Sequence, residues 1–264
     1  MATFYFDAKR IYPKKDVPPQ ARGGGTIYIV STPIGNLKDI TLRALEVLKE
    51  VDLILCEDTR VTSKLLNHYQ INTQLVSYHQ HSKIRKIDYI LNFLRQDKNL
   101  ALVSDAGAPG ISDPGNRLIK EILDKLPQTT ITAVPGPSAL TAAASISGLP
   151  TDRFLFMGFP PAKKRRRKFF ESVVNSEYPV IFYESPHRIV KTLKELEELS
   201  PKLETVVCRE LTKKFETVLR GTIGEILKIL TKQTPRGEFV VVITPLGSRI
   251  RTIATSPSWN NPRI

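Results

Sequence analysis

Short apolar strands alternate with amphipathic helices through the first half of the chain. Strand-like runs at 26–31, 51–56 and 100–103 are separated by segments whose apolar residues recur at helical spacing. Such alternation predicts a largely parallel sheet with helices on both faces, because parallel strands need a crossover connection. Further strands are predicted at 74–77 and 129–134, and helices at 42–48, 82–95, 116–126 and 139–144.

The second half follows a different pattern after the Ser-Gly-Leu-Pro segment at 147–150. Strand-like runs at 205–208 and 215–219 follow each other without a helix between them, which indicates a mixed or antiparallel sheet. We therefore predict an α/β fold with a mostly parallel N-terminal sheet, a mixed C-terminal sheet and flanking helices. The predicted divisions are a flexible N-terminal extension at 1–25, α/β domains at 26–148 and 149–247, and a polar tail at 248–264.

A glycine- and proline-rich loop at 104–115 joins a buried strand to the next helix. Ligands bind at the carboxyl ends of strands in open α/β sheets, and glycines let the backbone approach them closely. An ordinary strand–helix turn needs fewer residues, so the length favours a ligand-binding loop. Gly110 and Gly115 have the spacing of a P-loop, but Asn116-Arg117 replaces the Lys-Ser/Thr pair. ATP or GTP hydrolysis is therefore not expected.

The chain is strongly basic, with a formal net charge of +13. A polyanion, nucleic acid above all, is the natural partner for such a charge, although a basic soluble enzyme is the alternative. Six consecutive positive residues at 163–168 are predicted to open a helix, where cations are unfavourable for the helix dipole. A nearby phosphate backbone would offset that cost, whereas a solvated helix start is the simpler interpretation.

Other features argue against several classes of protein. Cys56 and Cys208 lie in apolar, strand-like contexts and are expected to be buried thiols of a cytoplasmic protein. No apolar run approaches the roughly 20 residues of a membrane span, and we expect no signal peptide. No cysteine pair with zinc-ligand spacing is present, so no metal site is predicted.

Two strand ends combine an acid with an arginine. They are the segments 57–60, which contains Asp58, and 184–188, which begins with Glu184. A local salt bridge explains each pair, and a role in binding substrate at the sheet edge is the competing hypothesis.

Taken together, several segments resemble the ribosomal RNA small subunit methyltransferase I family, which has the tetrapyrrole methylase fold. The matching segments are 32–41, 56–60, 104–115, 135–139, 158–160, 182–188 and 209–214. The resemblance spans about residues 26–247. It implies S-adenosylmethionine-dependent methylation of a cytidine ribose 2′-hydroxyl in the decoding region of 16S rRNA, within the 30S subunit. It also implies a homodimer of chains with two α/β domains and the cofactor in the cleft between them.

The resemblance further implies which residues contact the cofactor. They are Pro33, Ser104, Asp105, Ala106, Gly107, Ala108, Ser138, Ala139, Tyr183, Leu211 and Gly237.

Alignment of donor and acceptor is the main catalytic requirement, and a carboxylate would help to remove the hydroxyl proton. Asp58 and Glu184 are the proposed general bases, since each lies beside an arginine suited to a phosphate. Asp105 is a further acid, expected to shape the cofactor pocket. The predicted RNA contacts are Arg60, Lys163, Lys164, Arg165, Arg166, Arg167 and Arg188.

Two alternatives remain open at the level of sequence. A tetrapyrrole methyltransferase would share the fold, but the basic charge argues against a small tetrapyrrole substrate. A non-catalytic RNA-binding protein would explain the charge, but it would not need an enclosed cleft of glycine and proline loops.

Overall fold

The computed structural model describes residues 24–79, 84–113, 115–232 and 234–245. The predicted tail and almost all of the predicted N-terminal extension lie outside these residues. The strands are β1 (Thr26–Val30), β2 (Leu53–Cys56), β3 (Leu75–Ser77), β4 (Leu100–Val103), β5 (Thr130–Val134), β6 (Leu155–Phe156), β7 (Val180–Glu184), β8 (Glu204–Arg209), β9 (Thr217–Thr222) and β10 (Phe239–Thr244). The helices are α1 (Leu42–Glu50), α2 (Thr59–His68), α3 (Ile84–Arg95), α4 (Gly115–Lys125), α5 (Ala139–Ser147), α6 (Arg166–Val174), α7 (Ile189–Leu199) and α8 (Ile223–Leu230).

The first sheet has the order β3-β2-β4-β1-β5, and every pairing in it is parallel. Its inner strands β2 and β4 are apolar and buried throughout because both faces are covered. Ile54 and Ala101 pack with α1 and α2 on one face. Leu53 and Leu100 pack with α3 and α4 on the other face. The predicted parallel sheet is therefore confirmed, and the carboxyl ends of β1, β2, β4 and β5 meet at one edge.

The second sheet has the order β6-β7-β10-β8-β9. β6 pairs with β7 in parallel and the other pairings are antiparallel, which confirms the predicted mixed sheet. Helices α6, α7 and α8 cover one face. Helix α5 covers the other face, where it packs against Ile181, Cys208 and Val240. The chain thus passes from the first sheet to the second through α5, and the predicted division between 148 and 149 stays a prediction.

The basic run differs from its predicted conformation. Helix α6 begins at Arg166 rather than at the first lysine of the run, because Arg165 has φ 65° and cannot continue a right-handed helix. Strand β9 begins at Thr217, two residues later than predicted, because Thr217 pairs with Arg209, the last residue of β8. Within the described ranges, no helix is both long and apolar enough to cross a membrane.

Candidate active site between the two sheets

A cavity of about 390 Å³ lies where loops of the two sheets meet. This volume falls in the range of roughly 300–1,000 Å³ typical of small-molecule sites. We call it the first cavity, and its walls come from the β4–α4 loop, the start of α5, the end of β7 and the start of β10. The lining residues are Ile34, Glu57, Ser104, Asp105, Ala106, Gly107, Ala108, Ile111, Ser112, Asp113, Ser138, Ala139, Phe159, Tyr183, Glu184, Ser185, Pro186, Leu211, Glu238, Phe239 and Val240.

The first part of the β4–α4 loop is fixed to the end of β1. Thr32 and Gly107 exchange two backbone hydrogen bonds of 2.9 and 3.0 Å. The Thr32 hydroxyl donates to the Ser104 carbonyl at 3.0 Å, and the Ser104 hydroxyl donates to the Gly107 carbonyl at 3.1 Å. Gly107 has φ 82°, a conformation that glycine adopts without strain. The loop is therefore held in shape by the chain's own hydrogen bonds.

The second part of the loop is organised by Asp113. One carboxylate oxygen of Asp113 accepts hydrogen bonds from the N–H groups of Gly110 and Gly115, each at 2.7 Å. The Asn116 side chain donates to the Gly110 carbonyl at 2.6 Å. These contacts join the loop to the first turn of α4, so the helix anchors the floor of the cavity.

An aromatic group forms the wall on the second sheet. Tyr183 packs edge-on against Phe156 and Phe159, with ring centroids 5.0 and 5.5 Å apart. The Tyr183 N–H donates to the Gly158 carbonyl at 2.8 Å. Burial raises the pKa of the Tyr183 phenol, which stays neutral and offers a flat apolar face to a ligand.

The lining of the first cavity is acidic. It contains five carboxylates and no lysine, arginine or histidine among the described residues. Burial raises the pKa of both Glu57 and Asp105, and neighbouring negative charges raise them further. Glu184 and Glu238 are paired with cations, so the excess negative charge comes from Glu57, Asp105 and Asp113. A cationic or neutral ligand therefore fits this lining better than a phosphate. The described part of the chain holds no cluster of three or more potential metal-binding side chains.

Asp58 does not have the geometry predicted for a general base. Its carboxylate accepts hydrogen bonds from the N–H and guanidinium of Arg60, the shortest at 2.6 Å, and caps α2. Those hydrogen bonds lower the pKa of Asp58 to about 2, and the residue does not line the first cavity. The local salt bridge, left open by the sequence, is therefore the better explanation. The Asp58 N–H donates to the carboxylate of Asp105 at 3.1 Å.

Glu184 lines the first cavity but is held by hydrogen bonds within the protein, and its role as a base stays a prediction. Its side chain is fully buried. One oxygen accepts from the Ser185 N–H and the Arg188 guanidinium, both at 2.8 Å, and the other accepts from the Thr192 hydroxyl at 2.5 Å. Both oxygens are thus engaged within the protein, so this carboxylate stabilises the end of β7 and the start of α7.

Arg166 is buried, although an RNA contact was predicted for it. Its guanidinium donates to Glu195 at 2.7 Å, to Thr192 at 2.6 Å and to the Pro161 carbonyl at 3.0 Å. Because these groups engage it inside the protein, the prediction for Arg166 is wrong. The other predicted RNA contacts lie at least partly at the surface and stay predictions: Lys163, Lys164, Arg165, Arg167, Arg188 and Arg60.

Most of the residues assigned to the cofactor come together around the first cavity. They are Ser104, Asp105, Ala106, Gly107, Ala108, Ser138, Ala139, Tyr183 and Leu211. Pro33 instead lines a neighbouring second cavity. Gly237 lines neither cavity, because it packs on Glu210, where a Cβ would lie 2.3 Å from Cγ. Glu238, the next residue, lines both cavities, and the assignment of Gly237 stays a prediction.

The sequence analysis assigned no cofactor contact to Glu57 or Phe159, although both lie in segments that it singled out, 57–60 and 158–160. Glu57 directly follows β2, so its position at the carboxyl end of a parallel strand was an available signal. Phe159 is exposed, and the family resemblance of its segment was the signal for it.

The fold and its inter-sheet cavity define the general class of the protein. The family model described as Tetrapyrrole (Corrin/Porphyrin) Methylases matches residues 26–227. A solved diphthine synthase superposes with a TM-score of 0.66 at 15% identity, covering 84% of this chain and 90% of that one. A uroporphyrin-III-C-methyltransferase from Thermus thermophilus gives a TM-score of 0.58 at 18% identity, covering 83% and 94%. At these identities the likeness shows the fold alone.

Closer relatives identify the family within this class. A Thermotoga maritima protein named ribosomal RNA small subunit methyltransferase I is 44% identical over 220 residues, covering 83% of this chain and 98% of that protein. The protein of the same name from Synechocystis sp. is 46% identical over 221 residues, covering 83% and 78%. The chain belongs to the ribosomal RNA small subunit methyltransferase I family, whose cofactor is S-adenosylmethionine.

Proposed function

We propose that this protein transfers a methyl group from S-adenosylmethionine to the ribose 2′-hydroxyl of a cytidine in the decoding region of small-subunit rRNA. The observation that carries the proposal is the 44% identity to a relative named for rRNA methylation, 98% of which the chain covers. The 30S subunit is the proposed substrate particle, the homodimer the proposed assembly and the cytoplasm the proposed compartment.

The first cavity has the character that this cofactor needs. S-adenosylmethionine supplies a methyl group that is already activated by a positively charged sulfur. The acidic lining favours that charge, and the apolar side chains of Ile34, Leu211 and Val240 suit the rest of the molecule. The backbone of the loop at 104–108 and the hydroxyl of Ser138 provide hydrogen-bonding groups for it.

Alignment and proton removal are the tasks left to the chain. The hydrogen-bonded loop at 104–113 provides alignment, because it is already ordered without a ligand. We assign Asp105 as the general base, the carboxylate that accepts the proton of the ribose hydroxyl. It is exposed, it lines the cavity, and its raised pKa makes it a stronger base than Asp58.

The exposed part of the basic run supports an RNA substrate. Lys163, Lys164 and Arg165 lie before α6 and are exposed, so their charges are available to phosphates. Together with the net charge of +13, they favour RNA over a small tetrapyrrole.

Labelled S-adenosylmethionine offered with 30S subunits, naked 16S rRNA and a tetrapyrrole precursor in parallel tests the proposal. The subunits should come from cells that lack the modification. We expect label in RNA only, recovered as 2′-O-methylcytidine after digestion to nucleosides. Label confined to the tetrapyrrole, or absence of both labelling and cofactor binding, would refute the proposed function.

A further inference from the structure

A second cavity of about 380 Å³ lies on the other side of the loop segment at 104–106. Its lining residues are Thr32, Pro33, Ile34, Gly35, Leu37, Val61, Thr62, Lys64, Leu65, Ser104, Asp105, Ala106, Lys213 and Glu238. Five of these also line the first cavity, namely Ile34, Ser104, Asp105, Ala106 and Glu238. The two cavities therefore share a wall, and the exposed Asp105 lies on it.

The lining of the second cavity differs in charge and polarity from that of the first. Lys64 and Lys213 belong to it, whereas the described lining of the first cavity has no cation. Lys64 is exposed and forms no ion pair with any carboxylate in the described ranges. Leu37 and Val61 are 38% and 39% exposed, so their apolar surfaces are accessible to a ligand in this cavity. These groups match a ligand with a flat apolar part and an anionic part.

The walls of the second cavity are fixed before any ligand arrives. Lys213 donates to Glu210 at 2.9 Å and to Glu238 at 2.8 Å. Gly35 packs so closely on this lysine that a Cβ would lie 2.3 Å from its Cγ. On the opposite side, the Tyr69 hydroxyl donates to the Leu37 carbonyl at 2.6 Å. Contacts between loops of both sheets therefore fix the shape of the second cavity.

We propose that the second cavity receives the target nucleotide, turned out of the RNA. This inference rests on the proposed function and adds the location of the substrate. The base packs against Leu37 and Val61, a flanking phosphate lies near Lys64, and the ribose faces Asp105. Enzymes that modify a nucleotide commonly extrude it into a pocket of this kind.

The wall shared by the two cavities would bring the substrate, the cofactor and the proton acceptor together. The Asp105 carboxylate would accept the proton of the ribose hydroxyl as the hydroxyl oxygen takes the methyl group. S-adenosylmethionine would supply that methyl group and leave as a neutral thioether that keeps the electron pair of the broken carbon–sulfur bond. A nucleotide in the second cavity and a cofactor in the first would meet at this carboxylate.

Val61→Trp places a large side chain in the second cavity at a residue that does not line the first. We expect kcat/KM for 30S subunits to fall about 100-fold, with S-adenosylmethionine binding by calorimetry and Tm unchanged. Ile229→Trp is the matched control, an exposed apolar residue on α8 that lines neither cavity. Weakened cofactor binding in Val61→Trp would assign the second cavity to the cofactor and overturn the proposal, as would full activity.

Lys64→Glu tests the phosphate contact with a smaller structural change. We expect KM for RNA to rise about ten-fold with kcat nearly unchanged, since a phosphate contact contributes to binding. Lys228→Glu on α8 should leave both constants at their wild-type values. Equal effects of the two variants would overturn the role of Lys64.

A binding measurement separates this inference from the proposed function. Methyl NMR signals of Leu37 and Val61 should shift when millimolar cytidine 3′,5′-bisphosphate is added to the protein bound to S-adenosylhomocysteine. The Ile229 signal should not move. Shifts at Ile111, in the first cavity, without shifts at Leu37 would overturn the proposal. Shifts at Leu37 and Val61 in a protein inert on every RNA would support it while refuting the proposed function.

Discussion

Asp105 lies on the wall shared by the two cavities, and its environment destabilises its charged form. Burial raises the pKa of Asp105, and the charge of Asp58 raises it further. A carboxylate whose pKa is higher in the folded than in the unfolded chain contributes stability below its unfolded pKa, and that contribution is lost as the pH rises through the folded pKa. Near neutral pH, the charged Asp105 therefore lowers the free energy of unfolding, which is expected of a residue whose role is catalytic.

Asp105→Asn should abolish proton transfer without unfolding the protein. We expect kcat to fall about 100-fold or more, with Tm equal to or above the wild-type value because the unfavourable charge is gone. Single-turnover methylation and thermal melts measure the two effects. Asp124→Asn, on the exposed side of α4, is the control. A parallel loss of Tm and activity would indicate a structural role instead.

The pH dependence of the reaction should report the same group. Activity requires the ionised carboxylate, so kcat/KM should fall as the pH falls through the raised pKa of Asp105. The acidic limb should therefore lie above the range usual for an aspartate. Asp105→Asn should lose that limb, whereas Asp58→Asn should keep it. Persistence of the limb in Asp105→Asn would assign it to another group.

Glu184 is expected to matter for stability. Glu184→Gln leaves Arg188 without its buried counter-charge and Arg166 with Glu195 alone, and breaking such a pair costs about 3 kcal/mol. Urea unfolding measures the loss. Glu171→Gln, which breaks an exposed pair with Arg167, should cost no more than about 1 kcal/mol. Equal costs would mean that the buried network contributes no more than a surface pair.

Among the loops and helices, the β4–α4 loop depends on a single acceptor. Asp113→Ala removes the oxygen that binds the N–H groups of Gly110 and Gly115, at a cost of about 1–2 kcal/mol. If that energy orders the cofactor loop, the Kd for S-adenosylmethionine should rise about ten-fold. Asp113→Asn keeps an oxygen at this position and should bind as the wild type does. Calorimetry on the three proteins distinguishes these outcomes.

The elements that the sequence predicts well are those whose signal is local. Strand β4 is a continuous apolar run followed by a loop rich in glycine and proline, so its burial and the position of its loop could both be predicted. The burial of Arg166 could not, because its partner Glu195 is 29 residues away and its neighbours carry the same charge. The second cavity could not be predicted from the sequence either, because it forms only where the loop that contains Leu211 packs against the loop that contains Pro33.

Across the whole molecule, a net charge of +13 predicts that RNA binding depends on salt. The slope of log K against log salt should be steep, because each phosphate contact contributes about 0.7 for single-stranded RNA. Replacing Lys163 and Lys164 by Gln should reduce the slope by about 1.4. The same change at Lys228 and Lys232 on the α8 side should leave it as it is. Fluorescence anisotropy over a range of salt concentrations measures both, and an unchanged slope in the first variant would remove these lysines from the RNA interface.

The central strand of the second sheet is the last strand in the described chain. Strand β10 lies between β7 and β8, so neither of those strands has its inner neighbour until residues 239–244 have been synthesised. Until those residues are made, the chain carries two separate strand groups with open edges, and α5 lacks its contacts with Val240 and Val242. The second sheet can close only after residues 239–244 have left the ribosome, and until then its edges are open to wrong pairing.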